Sequence, residues 1–78
     1  MSKDQAIEQA YSELKDAERF QMFEYGGYKR YKETLEALDK VIDETEDKED
    51  LDSLTWAYAR AECEQYERAM FALKGVRN

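Results

Sequence analysis

The 78-residue chain has no histidine and no proline, one cysteine and three glycines. Each shortage removes a class of explanation. Without histidine the commonest general base is missing. So is the nitrogen ligand of Cys/His zinc sites and of the Glu-x-x-His pairs that hold di-metal centres in helical bundles. A single thiol, Cys63, cannot form an intrachain disulfide, and its neighbours Glu62 and Glu64 disfavour a thiolate. Cys63 is therefore expected as a buried or half-buried small apolar residue, in a reducing, cytoplasmic compartment. No apolar run approaches the roughly 20 residues that a membrane span needs. No catalytic residue, cofactor or metal is expected, and the chain does not read as an enzyme.

What is abundant is charge: 40% of the residues are charged, and the formal net charge is −7. With so few helix breakers, the chain reads as a single all-α domain over residues 1–78. Ser2 and Gln5 fit a capping box. Ile7, Ala10, Tyr11, Leu14 and Ala17 recur at helical spacing, as do Tyr28, Tyr31, Leu35, Leu38, Ile42 and Thr45. A third stripe runs through Ala59, Cys63, Tyr66, Met70 and Leu73, widened by Leu54, Ala57, Tyr58 and Ala61, with Trp56 as a core anchor. Gly26 and Gly27 suit the close of one helix and Gly75 the close of another. Helices are thus expected over about 3–25, 28–46 and 51–74. They imply a three-helix antiparallel, up-down-up bundle, or a long helical hairpin whose core is completed by dimerisation.

The charge is unevenly spread. Residues 43–52 hold seven acids (Asp43, Glu44, Glu46, Asp47, Glu49, Asp50, Asp52) against Lys48, a net of −6 out of the chain's −7. Glu49, Asp50 and Asp52 suit a helix N-terminus, and Asp47 or Asp50 suits its cap. Asp43, Glu44 and Glu46 would lie at a helix C-terminus, where the macrodipole is already negative. This stretch lacks the glycine and the terminal glutamate of a calcium loop. It is the first candidate interaction surface.

The second is basic and aromatic. "YGGYKRYK" (25–32) sets Lys29, Arg30 and Lys32 at a helix N-terminus, where cations are unfavourable. In an up-down-up bundle these would share a pole with Lys74 and Arg77, beside Tyr25, Tyr28 and Phe71. Met22 and Phe71 fall on polar sides of their helices, and exposed aromatics beside arginine are common in interfaces. A helix N-terminus after two glycines, with cations beside it, could also hold a phosphate.

Three functional readings follow. By size and clustered carboxylates the chain resembles the small acidic inhibitors that phages and mobile elements use against host nucleic-acid enzymes. That resemblance implies a protein-interaction module that occupies an enzyme or defence complex by charge mimicry. The second reading is a small-ligand binder that sequesters a nucleotide or other anion at the basic aromatic pole. The stretch "YARAECEQYERA" (58–69) is similar to the last helix of phage proteins that sequester cyclic-nucleotide signals, through Tyr58-Ala59-Arg60 and Glu64-Gln65. The third is an oligomeric structural or chaperone-like adaptor. A protein partner is expected, with self-association into a two-fold dimer as the default. Direct binding to nucleic acid is not expected, because phosphate neutralisation needs a basic face.

Overall fold

Ser2 and Gln5 open the first helix by exchanging hydrogen bonds. The Gln5 amide donates to Ser2 Oγ at 3.3 Å, and the Ser2 amide to Gln5 Oε1 at 3.1 Å. The capping box is in place. In the computed structural model, which describes residues 2–20 and 27–77, four helices follow: α1 (Lys3–Phe20), α2 (Gly27–Asp43), α3 (Lys48–Glu62) and α4 (Tyr66–Arg77). No strand occurs among the described residues. The extension of the first expected helix to residue 25 lies outside them.

The fold is all-α, but the helix expected over 51–74 is two helices. The break is a Schellman motif with the wrong residue type for easy recognition. The Gln65 amide donates to Arg60 O at 2.8 Å and the Glu64 amide to Ala61 O at 2.9 Å, which are the paired bonds of that motif. Its left-handed position, usually glycine, is held by Glu64 at φ 59°. The apolar contact that often closes such a turn is replaced by a polar one: an Arg60 guanidinium nitrogen donates to Gln65 Oε1 at 3.2 Å.

Beyond the turn, α4 runs back along α1. Glu18, near the end of α1, shares a surface depression with Glu64–Arg68 at the start of α4. Lys74, late in α4, sits 5.8 Å over the ring of Tyr11, halfway down α1. The other helices alternate likewise. Glu13, late in α1, meets Arg30 and Thr34 early in α2, and the groove between the helices runs on past Gln9 to Lys40, so those two are antiparallel. The N-termini of α1 and α3 meet where Lys3 Nζ bridges Asp50 Oδ2 at 3.3 Å. Each helix packs on the next, and α4 closes the ring on α1. The described residues therefore form four helices where three were expected. The chain surrounds its own core with four helices, within 37 × 22 × 16 Å.

That core is built from small residues. It gathers Ala6, Ile7, Ala10, Leu14 and Ala17 of α1, Ala37, Leu38 and Val41 of α2, Leu54, Ala57 and Ala61 of α3, and Tyr66, Ala69, Leu73 and Val76 of α4. The alanines let the backbones approach closely, and Leu14, Leu38, Leu54 and Leu73 are the largest fully buried side chains. Thr34 is also fully buried, and its hydroxyl satisfies itself on Arg30 O at 2.7 Å, within 3.4 Å of Glu13 O across the α1–α2 seam. No described helix is long and apolar enough to cross a membrane.

Three tyrosines, Tyr31, Tyr58 and Tyr66, come near one another from α2, α3 and α4. Burial, and then nearby charge (Asp39 and Glu62 on Tyr58, Glu64 on Tyr66), pushes the Tyr58 and Tyr66 phenols above the ordinary 10.0. A raised folded-state pKa means stability that is complete below the unfolded value and lost as pH climbs past it. We therefore expect alkaline unfolding to set in above about pH 10. Tyr66→Phe should resist it better than the parent, with phenolate absorbance followed in parallel. A variant as alkali-sensitive as the parent would show that Tyr66 does not drive the loss.

Candidate acidic and aromatic interaction surfaces

The acidic stretch forms the corner between α2 and α3. Helix α2 ends at Asp43, three residues before its expected limit. There Thr45 turns inward to 6% exposure, and its hydroxyl donates to Val41 O at 2.6 Å. Asp47 then caps α3 in extended backbone at φ −69° and ψ 128°, with its Oδ2 accepting from the Asp50 amide at 3.0 Å. Asp50 is half-buried and bridges to Lys3.

Two of the seven acids thus have structural tasks. The side chains of Asp43, Glu44, Glu46, Glu49 and Asp52 are exposed, with no hydrogen bond or ion pair among the described residues. Asp43 and Glu44 stand at the negative end of α2, where their charge opposes the macrodipole. Among the described residues, no group of three or more acidic, cysteine or histidine side chains is placed to hold a metal ion.

Among the described residues the expected basic pole is assembled only in part. Lys29, Arg30 and Lys32 do open α2, whose first turn holds no acid. Lys29 reaches Glu33 one turn on at 3.9 Å, and Arg30 lies close enough to Glu13 to favour that carboxylate's charged form. Lys74, however, lies on Tyr11, and the reversal of α4 carries the end of that helix, with Arg77, away from the start of α2. The depression beside the α3–α4 corner is lined by Glu18, Glu64 and Glu67 against Arg68, so this end of the bundle is mixed in sign. Tyr25 and Met22 lie outside the described residues, as does the side chain of Tyr28. Phe71 is 78% exposed.

Acids also crowd the α1–α2 groove. Burial, followed by the charges of Glu33 and Asp16, raises the Glu13 carboxyl above 4.5, and Arg30 offsets this in part. Its contribution to stability is complete below 4.5 and is lost as pH rises through the raised value. Glu13→Gln is expected to stabilise the protein at pH 7 by roughly what like-charge neighbours cost, a few tenths of a kcal/mol. Thermal melts should show the gain vanishing in acid. A gain that persists at pH 3 would point to packing instead of charge.

Two expectations fail for one reason. Trp56, expected in the core, is 46% exposed, and Cys63, expected buried or half-buried, is exposed. The core stripe of α3 is Leu54, Ala57 and Ala61, so Trp56 falls on the far side of the helix, and Cys63 is the C-cap. Continued along one helix, that stripe would fall on Glu64, Gln65 and Arg68, all polar. The apolar pattern resumes out of phase at Tyr66, Ala69, Leu73 and Val76. This phase break is the sequence signal for the turn.

The Arg60 guanidinium carbon lies over the Trp56 ring, 5.6 Å from its centroid. Arg60 Nε is enclosed without a hydrogen-bond partner among the described residues, and the indole face beside it supplies a partial substitute. The chain matches no family model, no curated protein and no solved structure.

Proposed function

We propose that the chain is a small acidic interaction module that docks on a basic surface of a partner protein. The nucleic-acid channel of a host enzyme or defence complex is the kind of surface it fits, and inhibition would follow from occupying it. The observation that carries this reading is the α2–α3 corner. Five exposed acids there serve no bond within the described residues, and two of them sit where the helix dipole makes their charge unfavourable. Charges kept against local preference suit a role outside the fold. A cluster of this sign would draw in a basic channel over long range and compete with phosphates for it.

The test is competition. The protein should displace a nucleic-acid probe from a basic DNA- or RNA-binding enzyme in a salt-sensitive manner. Displacement that ignores salt would exclude charge mimicry.

Self-association is a second element of the reading, and the 78% exposed Phe71 is an apolar side chain that such an interface would cover. Sedimentation equilibrium at micromolar concentration should then show a species heavier than the 9.3 kDa chain. The alternative of a small anion held at the basic aromatic pole is weakened because Lys74 and the end of α4 lie away from Lys29, Arg30 and Lys32.

A further inference from the structure

We propose that the outward face of α3 is the docking strip for an arginine-rich segment of the partner, with Trp56 as its anchor. This rests on the reading of the acidic corner above and names where that corner's partner is gripped. The strip is Glu49, Asp52, Trp56, Ala59 and Cys63, at the 3- and 4-residue spacing that lines one side of a helix. It lies opposite the buried stripe of Leu54, Ala57 and Ala61. Its lower half continues the acidic corner. Its upper half offers an indole, a small side chain and a thiol.

Charge complementarity selects the occupant. Glu49 and Asp52 stand two turns and one turn before Trp56, free of ion pairs among the described residues, and so attract cations to the ring's neighbourhood. Trp56 already receives one guanidinium, from Arg60, yet remains 46% exposed, so ring surface is left for a second. Tryptophan is the best cation–π acceptor among the side chains. The planar, weakly hydrated guanidinium stacks on it better than a lysine ammonium does. An acidic segment or a nucleic acid would be repelled by the same strip. A second copy of this chain would bring a like net charge of −7 to it.

Trp56 is the sole tryptophan, so its emission reports from the strip itself. The probe is fluorescein-labelled octa-arginine, with octa-lysine for comparison, at an ionic strength of about 0.01 M, where screening is weak. Octa-arginine is expected to bind, to change the emission of Trp56, and to bind more tightly than octa-lysine. Trp56→Ala and Trp56→Leu should each weaken binding about tenfold and leave circular dichroism unchanged. The leucine variant keeps apolar bulk, so it separates loss of the ring face from loss of surface.

Peptide that binds with unchanged Trp56 emission, or with equal affinity in the leucine variant, would overturn the anchor and leave the acidic corner standing. Binding that survives neutralisation of Asp43, Glu44 and Glu46 but not loss of Trp56 would keep the anchor and remove the charge-mimic reading. No binding of octa-arginine at low salt would remove both. Emission that changes on dilution without peptide would assign the face to a second copy and end the proposal.

Discussion

Replacing Glu64 by glycine is expected to stabilise the protein by about 1 kcal/mol, which for a domain of this size is a rise of roughly 4–8 °C in Tm. The residue sits at φ 59°, where a side chain with a Cβ is disfavoured by roughly 1–2 kcal/mol and glycine is not. Part of that gain is returned through the greater freedom of glycine in the unfolded chain. The turn's hydrogen bonds are backbone bonds, from the Glu64 and Gln65 amides, and both survive the exchange. A continuous helix over 51–74 predicts the opposite sign. Glycine in a helix interior costs close to 1 kcal/mol relative to alanine. The two architectures thus differ by about 2 kcal/mol on one substitution. A lower Tm for Glu64→Gly would restore the long third helix, and with it the basic pole that the reversal of α4 disperses.

The same residue explains where sequence and structure part. Local signals were legible: the Ser2–Gln5 box, the Asp47 cap, and the stripes through Leu14 and Leu38, all set by neighbours within one or two turns. The turn at 63–65 is marked only by the phase break in the buried stripe, because its left-handed position carries glutamate in place of glycine and a rival stripe through Ala59, Cys63, Tyr66 and Met70 runs across it. The turn sets the rest: it makes Cys63 a C-cap and sends Lys74 to Tyr11, away from the start of α2.

The acidic stretch was legible by composition alone. Its division into a cap, a bridge and free charges was not, because the bridge needs Lys3 beside Asp50, 47 residues away.

Neutralising four acids of the α2–α3 corner, with Asp43→Asn, Glu44→Gln, Glu46→Gln and Asp47→Asn together, is expected to weaken binding to a basic partner by well over tenfold. The net charge falls from −7 to −3, and each decade of affinity is about 1.4 kcal/mol. Stability should hold or rise slightly. Asp43 and Glu44 lose charge at a dipole end that disfavoured it, and asparagine caps α3 as well as aspartate does. Raised salt should mimic the variant, because exposed charges are screened beyond about 8 Å at physiological ionic strength. Asp47→Ala supplies the contrast. It removes one charge but also the acceptor of the Asp50 amide, so it should cost about 1 kcal/mol of stability and far less binding than the quadruple change. Stability and binding then move independently: the cap governs the first and the summed charge the second. If the quadruple variant instead melts well below the parent, the corner's acids hold the fold together and are not a surface kept for a partner.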